Sequence, residues 1–296
     1  MSQPPPIFVI GSPRSGTTLL GNVLAAHPDL AYAEEPRMTW RQGNDKYSDY
    51  LRPEHARPKV AQGIRRDFEQ FVTDRGKKRL LEKTPSNALR LDFMRAVYPD
   101  GVFIHVLRNA YDAVLSIRSY STKHSTGLPR AALLKRLREI KPAQLPYYAK
   151  EAAARILPEP LNVFGRKPAW GPRLPAMSDL QGELDPLQIA CLQWRSCVEA
   201  ACQAGRTFPE NQYMELRLED LNEDVLRRVM DFAQLPESPE VLETFRAKFR
   251  PQDPTGRRNT ADHNQLQAIK RWTEPTLQWL GYPTALDGET PTEGSA

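Results

Sequence analysis

No stretch of this 296-residue chain approaches the ~20 consecutive apolar residues that a membrane-spanning helix needs, so no membrane span is expected. Only Met1 to Pro6 precede the first apolar run, too few for a signal peptide or an N-terminal anchor, and a cytoplasmic location is expected. Cysteine is scarce. Cys191, Cys197 and Cys202 are odd in number, follow no zinc-ligand spacing and share one helical stretch. They read as buried thiols in a reducing compartment, not as disulfides or metal ligands. The chain also lacks internal repeats, a paired aspartate motif for Mg²⁺, and any helix-turn-helix, zinc-finger or aromatic-rich RNA-binding signature. A formal charge of +5 suits a protein that binds anions, and without those signatures no nucleic-acid partner is expected.

What is present begins at Ile7-Phe8-Val9-Ile10, four apolar residues that run into Gly11-Ser12-Pro13-Arg14-Ser15-Gly16-Thr17-Thr18. Leu19, Leu20, Val23 and Leu24 then recur at helical spacing up to Pro28. A buried strand, a glycine loop and a helix start leave backbone N–H groups aimed at an anion. The spacing matches the phosphate loop G-x-x-x-x-G-K-[ST], with Thr17 where that motif has Lys and Arg14 as the loop's one cation. The missing Lys argues against ordinary ATP or GTP hydrolysis, because that side chain reaches the β and γ phosphates.

The string Gly-Ser-Pro-Arg-Ser-Gly-Thr-Thr-Leu-Leu, ending in Ala26-His27-Pro28, resembles the sulfotransferases that use 3'-phosphoadenosine 5'-phosphosulfate (PAPS). The resemblance implies an α/β fold, a three-layer sandwich around a central, mostly parallel sheet with a P-loop-like phosphosulfate-binding loop. It also implies that Pro13, Arg14, Ser15, Gly16, Thr17 and Thr18 hold the 5'-phosphosulfate, with 3'-phosphoadenosine 5'-phosphate (PAP) as product and no metal required. Four further segments support it. Lys83-Thr84-Pro85 is similar to a triplet whose Lys sits near the transferred group, where a fixed cation stabilises the leaving phosphate. Arg108 to Ser116 resembles the segment in which an Arg at a strand end and a Ser eight residues later hold the nucleotide 3'-phosphate. An Arg fork beside a helix start suits such an oxyanion. The family's Asp-Pro after that Arg is replaced by Asn109-Ala110, a change in turn chemistry. Arg217-Leu218-Glu219-Asp220-Leu221 resembles a box that shapes the domain, and Gly256-Arg257-Arg258 stands where a late loop brings basic residues to the 3'-phosphate.

Leu30 to Ala33 reads as a second strand that ends at Glu34-Glu35-Pro36-Arg37, which puts two carboxylates beside the loop. A hydroxyl acceptor needs a base, and Glu35 is favoured over Glu34. Arg79 to Pro85 reads as a third strand that leads into a helix for which Ser86 is the expected N-cap. Gly101 to Leu107 is a core strand with His105 inside it, expected to be a satisfied core residue. Pro186 to Gly205 reads as a long helix capped by Gly205. Residues 1–286 are expected to form one domain, with 121–185 as an acceptor-side insertion or lid and 287–296 as a disordered tail. The expected reaction moves a sulfuryl group from PAPS to a hydroxyl or amine of a small-molecule, carbohydrate, lipid or peptide acceptor. An ATP-dependent small-molecule kinase on the same fold and a non-catalytic nucleotide-binding module are the alternatives.

Overall fold

The short apolar runs become a parallel sheet, in which β2, β3 and β5 end at charged residues. The computed structural model of the chain describes residues 4–123, 140–149, 170–250 and 261–284. Within these, β1 (Ile7–Ile10) leads through the glycine loop to α1 (Thr17–Leu24), β2 (Leu30–Glu34), α2 (Arg37–Arg41) and α3 (Pro58–Thr73). Then come β3 (Arg79–Lys83), α4 (Leu91–Val97), β4 (Val102–Leu107) and α5 (Ala110–Lys123). Beyond residue 170 the order is α6 (Met177–Glu183), α7 (Pro186–Gly205), β5 (Tyr213–Arg217), α8 (Glu223–Phe232), α9 (Pro239–Lys248) and α10 (His263–Trp279). The sheet order is β2-β3-β1-β4-β5, and every pairing is parallel. Because β1 lies between β3 and β4, the chain switches direction across the sheet beside the glycine loop, where open α/β sheets place their ligands.

Layering follows from the alternation of side chains along β1. Ile7 and Val9 face α1, α8 and α9 in one core, and Phe8 and Ile10 face α3, α4 and part of α7 in another. A strand buried on both faces is uniformly apolar, which is why β1 shows no polar alternation. A third core joins α5, α7 and α10 around Trp194.

Three expectations are corrected. Ser86 does not cap a helix; it lies inside a short 3₁₀ turn, Pro85–Leu89, and its Oγ accepts from Arg90 Nη2 at 3.1 Å. Gly205 is the last residue of α7 and not its cap: a Cβ there would lie 2.1 Å from the Tyr213 ring, so close approach is what demands glycine. His105 is partnered at one nitrogen only. Its Nδ1 is 2.7 Å from Tyr213 Oη, which donates to Glu215 Oε1, while its buried Nε2 has no partner among the described residues.

Two buried groups carry opposite pH dependences. Burial raises Glu82 to about 7, outweighing the bond donated by Thr84, and burial lowers His105 to about 4. Between their ordinary values of 4.5 and 6.5, the folded state keeps a proton on Glu82 that the unfolded chain releases. That contribution falls as pH rises. Over the same window the unfolded chain takes up a proton that folded His105 refuses, and that contribution rises with pH. Each slope is on the order of 1 kcal/mol per pH unit, and they oppose one another. Glu82→Gln leaves the His105 slope uncompensated, so its Tm is expected to fall relative to wild type as pH drops from about 6.5 to 4.5. Parallel Tm–pH curves for the two proteins would refute this assignment.

Candidate active site

The loop from Gly11 to Gly16 is shaped by its own backbone. Ser15 donates to the Ser12 carbonyl through both Oγ (2.7 Å) and N (3.3 Å), which closes a tight turn. Arg14 and Gly16 then take left-handed conformations, with φ of 66° and 94°. Gly16 has a second reason to lack a side chain, because a Cβ would meet Leu218 Cδ1 at 2.6 Å. Gly16 caps α1 without a side-chain hydrogen bond, and no acidic residue occupies the helix's first turn. The first amides of α1 are therefore not engaged by a side-chain cap, the arrangement that favours an anion.

On one side of the loop stands Lys83, the last residue of β3. Its side chain is fully buried, and Nζ donates to Thr18 Oγ1 (3.0 Å), Glu34 Oε1 (3.2 Å) and Glu35 Oε1 (3.0 Å). Sheet register explains the cluster: Glu34 of β2 pairs with Lys83, and Glu35 N donates to the Lys83 carbonyl one step further on. Glu35 then turns into the left-handed region at φ 52°. Its second oxygen accepts from Arg37 Nη2 at 2.8 Å. Partial burial acts to raise the Glu35 pKa, but the Arg37 guanidinium and the Lys83 ammonium outweigh it and hold the carboxyl at about 2.

On the other side stand Arg108, at the end of β4, and Ser116 on α5. Arg108 Nη1 donates to the Arg14 carbonyl (2.9 Å), and Arg14 Nε donates to Ser116 Oγ (3.1 Å). The Arg14 guanidinium also lies over the Tyr120 ring, 5.1 Å from its centre. The substituted turn has a clear role: Asn109 Oδ1 accepts from Tyr111 N at 3.0 Å and so caps α5. Asn109 N in turn donates to Glu219 Oε1 at 2.8 Å. The box after β5 thus supports the site through Leu218 and Glu219, in keeping with a shaping role.

The structure therefore gathers Thr18, Glu34, Glu35 and Lys83 into one cluster, and Arg14, Arg108 and Ser116 into a second, with the glycine loop between them. The Arg14 guanidinium, although carried by the loop, reaches Ser116 and Tyr120 of α5. Arg257 and Arg258, residues 124–139 and 150–169 of the insertion, and the tail from 285 lie outside the described residues. The described ends of the insertion meet the segment after α2: Asp49 N donates to the Arg173 carbonyl (2.7 Å), and Gln144 Nε2 to Asp45 Oδ1 (2.7 Å). Arg37 and Tyr120 were not singled out in the sequence as site residues. Only the proximity of Arg37 to two glutamates could have drawn attention to it.

Comparison with known proteins shows the family and the fold. Residues 5–160 match the model of the sulfotransferase family. The nodulation protein NoeE of Sinorhizobium fredii is 29% identical over 133 residues, covering 38% of this chain and 30% of that protein. A putative protein-tyrosine sulfotransferase of Caenorhabditis briggsae is 32% identical over 119 residues, covering 38% of this chain and 42% of that one. The match thus spans less than half the length of either relative. The sulfotransferase domain of the Synechococcus PCC 7002 olefin synthase shares the fold, with a TM-score of 0.55 at 19% identity over 96% of this chain and 97% of that domain. Among the described residues no helix is long and apolar enough to cross a membrane. A family model that takes in the glycine loop, both glutamates, Lys83, Arg108 and Ser116, on a fold shared along nearly the whole chain, makes this protein a member of the sulfotransferase family.

Proposed function

We propose that the protein transfers a sulfuryl group from PAPS to a hydroxyl or amine acceptor by in-line displacement. The observation that carries this reading is the pair of clusters flanking one glycine loop. One offers a carboxylate beside a buried lysine, and the other an arginine and a serine hydroxyl. A donor with a reactive phosphosulfate and a separate 3'-phosphate has the charge distribution that such a pair would receive. In the proposed step Glu35 accepts the acceptor's proton as the acceptor oxygen bonds to sulfur. Arg14, Lys83 and the loop amides stabilise the charge left on the 5'-phosphate as the bridging S–O bond breaks. The proposal includes no metal, because a sulfuryl group carries less charge than a phosphoryl group. The three free, buried thiols of α7 suit a reducing compartment such as the cytoplasm.

Calorimetry with PAP, ADP and Mg-ATP tests the donor. Tight binding of PAP alone is the expected result; preference for Mg-ATP would replace this reading with a kinase. Arg108→Ala is expected to weaken PAP by roughly 1.5–3 kcal/mol, about 10- to 150-fold, as a charged hydrogen-bonding partner is lost. An unchanged PAP affinity would remove Arg108 from the 3'-phosphate site.

A further inference from the structure

Both carboxylate oxygens of Glu35 are engaged, one by Lys83 and one by Arg37. Each oxygen keeps a second lone pair, but a carboxylate held by two cations is a weak base, and withdrawal of one of them restores its power to take a proton. They are not equally held. Lys83 is wholly buried and is also bound to Thr18 and Glu34. Arg37 keeps 24% of its side chain exposed, reaches Glu35 through a single terminal nitrogen, and has a buried Nε without a partner among the described residues. It is also tethered next to its target, because Arg37 N donates to the Glu35 carbonyl at 2.7 Å across Pro36.

We infer that Arg37 is a latch on Glu35: it covers the oxygen that must receive the acceptor's proton, and the base is released when an arriving acceptor displaces the guanidinium. This rests on the reading of Glu35 as base. The groups that face Glu35 are Lys83 from β3, Arg37 from α2, and Glu34 and Tyr32 from β2. Of the two cations, only the guanidinium can withdraw without breaking up the Lys83 cluster. The latch gives the enzyme a defence against its simplest competing acceptor. Water reaching an uncovered Glu35 would lose a proton to it and bond to sulfur, breaking the bridging S–O bond and yielding sulfate and PAP. A guanidinium on that oxygen denies water its base. An acceptor bound firmly enough to move the side chain gains access that water lacks.

The test needs no acceptor. Sulfate release from PAPS in water is measured for wild type, Arg37→Met, Arg37→Lys and the Arg37→Met/Glu35→Gln double variant, and the Glu35 carboxyl is titrated by ¹³C NMR in the first three. Arg37→Met is expected to raise hydrolysis about tenfold, the equivalent of one lost hydrogen bond between charged groups, and to move the Glu35 titration upward. Arg37→Lys, which keeps the charge and is the variant least prone to misfold, is expected to fall between. The double variant should lose the gain. Hydrolysis and titration both at wild-type values in Arg37→Met would overturn the latch. A raised titration with no sulfate formed by any variant would uphold the latch on the carboxylate while overturning sulfuryl transfer.

Discussion

Replacing Glu35 with Gln is expected to lower sulfuryl transfer by about 10²–10⁴-fold, the range for loss of a positioned general base, while PAP affinity stays at the wild-type level. The amide preserves the shape of the side chain and can still accept from Lys83, so the strand-end cluster should survive. Only the capacity to take a proton is lost. Steady-state turnover and calorimetry on the same preparation separate the two effects. Near-wild-type turnover would remove Glu35 from the chemistry. Glu34→Gln is the companion measurement, because Glu34 shares the same lysine. Its side chain is 44% exposed and its backbone stays in the β2 ladder, whereas Glu35 turns at the strand end. A larger loss in Glu34→Gln than in Glu35→Gln would assign the base to Glu34.

Lys83→Met is expected to lower turnover by about 10²–10³-fold, as for the removal of one fixed donor that stabilises developing charge. It should also destabilise the fold by about 1.5–3 kcal/mol, because two carboxylates lose their shared partner. Partial exposure of both glutamates limits that cost. Thermal melts and turnover report the two losses separately. Lys83→Arg keeps the charge but brings a bulkier head into a fully buried slot, so it should recover little of either. Normal turnover in Lys83→Met would exclude a role for the lysine in the transition state.

The sheet was legible because its strands are short, mostly apolar segments, each followed closely by a polar or turn-forming residue. Arg108 could be placed at a strand end from the sequence because the apolar run of β4 stops at Leu107, whereas the third strand reads on to Pro85, past its observed end at Lys83. The register that brings Glu34 and Lys83 side by side could not be read, since parallel pairing is set by contacts across the chain and leaves no local mark. Helix α2 was hidden for a similar reason. Five residues in a polar stretch show too little periodicity, and Trp40 is buried only because Phe8 and Phe68 arrive from elsewhere, at 5.7 and 5.2 Å. The turn at Glu35 gives no warning, because a left-handed conformation is usually signalled by glycine or asparagine. Gly205 misled in the opposite direction. A glycine at a helix end suggests a cap, yet this one makes room for a ring.

Leu218 and Glu219 give the site a place in the order of synthesis. The amide of Asn109 and the carboxylate that receives it are 110 residues apart. While a ribosome is still extending the chain beyond β4, every charged residue of the two clusters is already made, but Leu218 and Glu219, which buttress the loop and the α5 turn, are not. The site becomes whole only when β5 joins the sheet edge. A fragment restricted to residues 5–160 would be recognisable as kin by its sequence and still lack the struts that set its geometry. Ancestry is written in the first half of this chain, and competence waits for the second.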